Sequence, residues 1–271
     1  MKMHKNTRLL EILANKPDLI IDFPEWMLPK ATVREIRNAE NIAIAEIAGR
    51  DSIAAAIRAC DMRPIQAIVP TIAYAGTDYG SWLVPFEKVK IMRDKLRPRN
   101  IKVFEPIVIG SPKFWWMLCG RYSTQLTKQF TSYSHCIGCH LYFHAIRVPL
   151  AKILQIELII GGERESHDGR IKINQIKAVL DAYQAFFDKF AIELLLPLRN
   201  IRSGKEIEAI IGETWNEGEQ QIHCVLSKNY LGDDGTVFIN EEAIVRYLTE
   251  FAFEKAEEEI KSHLEKIPSD E

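Results

Sequence analysis

The stretch Asn41-Ile42-Ala43-Ile44-Ala45-Glu46-Ile47-Ala48-Gly49-Arg50-Asp51-Ser52 decides the fold. Residues 41–48 are a short apolar run that reads as a buried strand, and a small-residue turn at Gly49 follows at once. Residues 52–60 are rich in alanine and read as a helix. A strand, a tight turn and a helix in that order present amides and a positive helix end to phosphate. Gly49 permits close backbone approach, Ser52 can donate a hydroxyl, and Arg50 offsets charge. Asp51 is a candidate ligand for Mg2+ bound to a polyphosphate. Neither Gly-Lys-Ser/Thr nor G-x-G-x-x-G occurs here. The competing reading is a plain strand–helix turn capped by Asp51 or Ser52.

Working outward, residues 1–40 read as a helical lead-in. Thr7 to Ala14 carries helical spacing, and Thr32 is placed to cap a helix from Val33. Further strands are expected at 64–73, 101–109, 156–160 and 192–196, the last stopped by Pro197. Helices are expected at 86–96, 113–131, 141–153 and 175–190. This alternation predicts an α/β fold, a Rossmann-like parallel sheet with helices on both faces. Ligands of such sheets lie beyond the carboxyl ends of the strands, where the turns at Gly49, Gly76 and Gly161-Gly162 all fall. Asp78 and Tyr79 would then lie near an adenine or ribose.

The composition fits a globular chain of 271 residues, 47% hydrophobic and 27% charged. No run approaches the roughly 20 apolar residues of a membrane span. The first ten residues lack a signal-peptide layout, so a cytoplasmic location is expected. Net charge is −2, which argues against a nucleic-acid binder overall, yet residues 86–128 hold ten Lys or Arg interleaved with Phe114, Trp115, Trp116 and Tyr122. Such a segment can track a phosphate backbone and stack bases, which makes tRNA a candidate partner. A solvated helix face over a core aromatic cluster gives the same pattern.

Of the five cysteines, Cys136 and Cys139 form a C-x-x-C, and Cys224 follows far downstream. Thiolates two residues apart reach a common point and can grip one ion or one cluster. Tetrahedral zinc would be completed by His135, His140, His144 or His223. A redox dithiol, a haem attachment at Cys136-Ile-Gly-Cys139-His140, and no metal at all are the other readings of the pattern. Cys60 reads as a buried filler and Cys119 as a core residue.

Ala48-Gly49-Arg50-Asp51-Ser52 after a buried strand resembles the S-G-G-x-D-S loop of the PP-loop ATP pyrophosphatase superfamily. Ile47 stands in place of that motif's Ser, and Ala48 in place of its first Gly. The loop from Gly161 to Arg170, then Pro197-Leu198 and Gly204-Lys205-Glu206-Ile207, are similar in place to later superfamily segments. The resemblance implies a PP-loop/HUP-type domain that binds ATP with Mg2+ through Ala48, Gly49, Arg50, Asp51, Ser52, Gly162, Arg164 and Lys205, with His167 lining the same cleft. The three-cysteine set looks like that of the iron–sulfur-dependent tRNA thiolation enzymes. This implies that Cys136, Cys139 and Cys224 hold a [4Fe-4S] cluster, with Zn2+ the alternative.

The expectation is therefore ATP-dependent sulfur transfer to a nucleobase in tRNA, by adenylation with release of AMP and pyrophosphate. Asp51 and the three cysteines would be its catalytic residues. The alternatives are a zinc-containing PP-loop ligase forming an amide or nitrile, and a non-catalytic nucleotide- or cluster-binding regulator in which Ile47 and Ala48 mark lost turnover. The expected division is a lead-in over 1–40, an ATP-binding domain over 41–235 and a helical tail over 236–271. The sequence leaves room for a homodimer and does not name the sulfur donor.

Overall fold

In a computed structural model that describes residues 30–214 and 222–265, five parallel strand positions form the central sheet. The predicted helical spacing of Thr7 to Ala14 lies outside the described residues. Helix α1 (Lys30–Arg37) contains Thr32 rather than starting after it. Strand β1 (Ile42–Glu46) is almost wholly buried, and α2 (Arg50–Met62) follows the Gly49 turn. Next come β2 (Ala67–Tyr74), the short β3 (Asp78–Tyr79) and α3 (Leu83–Leu96).

The third expected strand is split into β4 (Lys102–Val103) and β5 (Ile107–Gly110), both parallel to β2. Proline chemistry explains the break. Ile47 N donates to Thr71 O toward β1, and Phe104 N donates to Ile68 O toward β4. By alternation Pro70 faces the β4/β5 side, where it has no N–H to give. The ladder stops opposite Pro70 and resumes at Thr71–Ile107.

The expected helix over 113–131 is likewise broken. It becomes α4 (Pro112–Trp115), a π-helical turn over Trp116–Gly120, and α5 (Ser123–Gln129). The C-x-x-C was expected between two helices, but it lies inside the first turns of α6 (His135–Ala145), which Ser134 caps by accepting from Cys136 N at 3.2 Å. Then follow α7 (Arg147–Leu154), β6 (Leu158–Ile160), α8 (Lys177–Asp188) and β7 (Glu193–Leu195). The last described elements are α9 (Gly204–Ile211), β8 (His223–Cys224), α10 (Glu241–Tyr247), a π-helical turn over Leu248–Ala252, and α11 (Phe253–Leu264).

The sheet runs β4/β5-β2-β1-β6-β7. One face packs on α2, α3 and α9 through residues such as Ala54, Met92 and Ile207. The other packs on α6 to α8, α10 and α11 through Leu141, Val148, Phe187, Tyr247 and Ile260. Strand order reverses between β1 and β6, and the loops leaving those two strands open the crevice where doubly wound sheets bind ligands. A separate antiparallel pair, β3 with β8, sets Cys224 opposite Asp78. Among the described residues no helix is long and apolar enough to cross a membrane.

Candidate functional site

The crevice is built from three turns. At the first, Ser52 Oγ accepts from Ala48 N and Gly49 N at 3.1 and 3.2 Å and donates to Gly49 O at 2.6 Å. Its hydroxyl thus closes the turn on itself. Asp51 is held by two guanidinium groups: Arg50 Nε donates to Oδ1 at 3.1 Å, and Arg164 Nε to Oδ2 at 2.9 Å. Burial opposes charge on Asp51, but Arg164 and Arg50 prevail and hold its carboxyl below the usual range. Both oxygens are engaged by guanidinium groups.

The second turn follows β6. A Cβ on Gly162 would come within 3.0 Å of Ser52 N and Cα, so only glycine lets this loop lie on the start of α2. Arg164 is 1% exposed. It also donates to Ser166 O at 2.8 Å and Arg202 O at 3.3 Å. His167 donates to Gln175 Oε1 at 2.5 Å; burial, with Lys172 and Arg164 nearby, pushes its pKa down to about 4. Lys172 also faces Asp51 and Arg164, and burial lowers its pKa. At the third turn Asp168 Oδ1 accepts from Gly204 N at 2.9 Å, while Lys205 on the same helix start is exposed. Ala48, Gly49, Arg50, Asp51, Ser52, Gly162 and Arg164 therefore meet in one place, with Lys205 at its rim. Lys172, Asp168 and Gln175 join them; Asp168 lies in the loop singled out from the sequence, and no motif marked the other two.

The second group gathers at the start of α6. Cys136 Sγ donates to Asn229 Oδ1 at 3.3 Å and to Leu226 O at 3.8 Å. Cys224 Sγ accepts from Leu226 N at 3.4 Å and contacts Thr77 Oγ1 at 3.5 Å. The residue-225–229 turn thus seats Cys224 against the C-x-x-C. Burial pushes the Cys136 thiol up to about 11, with Cys224 adding to the rise. Burial raises Cys139 further, with contributions from Asp78, Cys224 and Cys136. Cys119 is buried as expected, but it belongs to this neighbourhood, packing under Gly138 and feeling Cys139 and Cys136. Cys60 is only half-buried and lies elsewhere, on α2.

A chain of polar groups joins the two regions through α6. His140 Nδ1 lies 3.3 Å from Glu163 Oε1, and His144 Nδ1 lies 2.9 Å from both oxygens of Glu46. Arg147 Nε donates to Thr71 Oγ1 at 2.7 Å. Burial penalises charge here, yet Glu46 and Glu163 raise the His144 pKa, while His144 and His140 hold Glu163 well down. Glu46 and Glu163 escaped the sequence reading. For Glu46 the available signal was an acid ending an apolar strand, which burial makes costly unless it is paired.

The basic segment is dispersed rather than gathered. Arg93, Lys95, Arg97, Arg99 and Lys102 pair with Glu105, Glu213, Asp94, Asp61 and Glu35. Lys88, Phe114 and Phe130 are buried. Arg121 lies over the rings of exposed Trp116 and half-buried Tyr122, and lines a groove of about 550 Å3 with Lys128. Near the thiols, exposed Tyr79 stacks on His223 with ring centres 5.4 Å apart.

No family model matches the sequence. The chain is 41% identical over 222 residues to the uncharacterized protein MJ0009 of Methanocaldococcus jannaschii, a match covering 81% of this chain and 80% of that protein.

Proposed function

For this chain, which belongs to the same family as that archaeal protein, we propose an ATP-dependent, AMP- and pyrophosphate-forming sulfur transfer to a nucleobase, carried by a PP-loop/HUP-type domain. One observation carries the reading. The charged crevice at the β1/β6 switch point and the thiol group at the start of α6 are joined by a single helix, so activation and sulfur delivery have adjacent places.

In this mechanism ATP lies with its phosphates between the start of α2 and the Gly162 loop. Arg50, Arg164 and Lys172 offset phosphate charge, and Asp51 keeps both guanidinium groups aimed. The base carbonyl oxygen attacks the α-phosphorus and pyrophosphate leaves. A sulfur nucleophile then adds at the activated carbon, and the C–O bond to AMP breaks, leaving C=S. The Tyr79–His223 pair offers the base a stacking surface beside Cys224.

The donor set of Cys136, Cys139 and Cys224 fits a [4Fe-4S] cluster, which when bound supplies an iron position open to sulfur. A tetrahedral zinc ion brings its sulfurs to within roughly 4 Å of one another. Among the described residues, the set whose donor atoms all lie within 4.8 Å is Glu46, His144 and Glu163, not the three thiols. A larger group therefore suits the sulfurs better.

The self-engaged Ser52 hydroxyl favours one second reading, a nucleotide-binding regulator without turnover. The deciding assay incubates anaerobically reconstituted protein with ATP, sulfide and bulk tRNA. Substrate-dependent AMP and pyrophosphate, lost in Gly162→Ala, is the expected result. Nucleotide binding without either product moves the assignment to the regulator, and no nucleotide binding ends both.

A further inference from the structure

We infer that His144 and Glu163 hold a divalent cation at a site of the imidazole–carboxylate type, separate from the thiols, with Glu46 orienting His144 and His140 paired to Glu163. His140 and His144 stand four residues apart on α6 and so share a face. Glu163 reaches the same point from the loop after β6. The His144 ring is fully buried. Glu46 accepts from its Nδ1 at 2.9 Å, which in the neutral ring leaves the lone pair on Nε2, the arrangement of a carboxylate–histidine–metal triad.

Two buried atoms there have no hydrogen-bond partner: His144 Nε2 and Glu163 Oε2. Nε2 is 3.4 Å from the other Glu163 oxygen, Oε1. Glycine at 161 keeps this place clear of side chain. A Cβ on Gly161 would sit 2.7 Å from Glu163 Oε2 and 3.4 Å from His144 Cε1. Two carboxylates face one guanidinium, Arg147, whose Nη1 is 3.6 Å from Glu46 Oε1. The second positive charge is a proton on His144 or, in its place, a dication. Imidazole and carboxylate donors select a zinc-class ion rather than Ca2+ or Mg2+.

The test titrates Co2+ alone into full-length protein with Cys136, Cys139 and Cys224 all replaced by Ser. About one Co2+ per chain is expected, with ligand-field bands and no sulfur-to-cobalt charge transfer. Glu163→Gln in that background should weaken binding at least ~10-fold, and Glu46→Gln by ~10–100-fold. Unchanged affinity in Glu163→Gln, or no binding at all, overturns the site and leaves a proton-bridged pair. Should the triple variant not fold, metal per chain is counted after Co2+ loading and desalting in the cysteine-intact protein. Glu163→Gln should then retain one ion fewer than wild type; equal contents overturn the inference.

Discussion

Asp51 is the residue on which the crevice turns, because it neutralises a guanidinium that is itself only 1% exposed. Removing one partner of a buried pair costs roughly 3–5 kcal/mol. Arg164 keeps its carbonyl partners, so Asp51→Ala should lose toward the low end, read as a shifted urea midpoint at constant m. His167 supplies a pH dependence. Its folded pKa, about 4, lies below the ordinary imidazole value near 6.5. A depressed pKa means that the unfolded chain binds the proton more readily, so this stability is present above pH ~6.5 and lost as pH falls toward 4. The loss amounts to about 3 kcal/mol at most. A His167→Gln variant should show a shallower stability profile across that window; an unchanged slope would assign it to other groups. Sequence set Asp51 and Arg164 in one cleft but did not give their pairing, since 113 positions separate the two.

At the scale of elements, α6 couples the thiol group to the crevice. Its start depends on Ser134, which accepts from Cys136 N and donates to Asn229 Oδ1 at 2.9 Å. Ser134→Ala should lower stability by about 1 kcal/mol and free the Cys136 backbone, seen as faster amide exchange at Cys136. The helix also carries a close approach: a Cβ on Gly138 would stand 2.5 Å from the Tyr247 hydroxyl and 3.0 Å from Cys119 Sγ. Gly138→Ala is expected to cost about 1–3 kcal/mol through overpacking, despite alanine's better helix propensity. A stabilised variant in thermal unfolding would show that α10 yields instead. The helical period of 135–145 was masked in the sequence because the element is apolar on nearly every side, and a helix buried all round has no stripe to read.

Over the whole molecule, the C-terminal helices complete the large face of the core: Ile244, Tyr247, Leu248, Ala252, Phe253, Ala256 and Ile260 pack with Tyr183 and Phe187. A chain ending at residue 239 should therefore aggregate or lose cooperative unfolding; a soluble, cooperatively melting product would make the tail a separate unit. What the sequence determined by itself was the type and order of the main strands and helices, since apolar runs, alanine-rich helices and glycine turns act between near neighbours. Alternating strand and helix then leaves a parallel sheet as the economical way to bury both faces. Tertiary structure alone decided the rest. It chose the reversal between β1 and β6, split a strand opposite Pro70, and brought Glu46, His144 and Glu163 to one buried point. Those outcomes depend on which strand lies beside which, and crossover packing sets that at a distance where local periodicity carries no information.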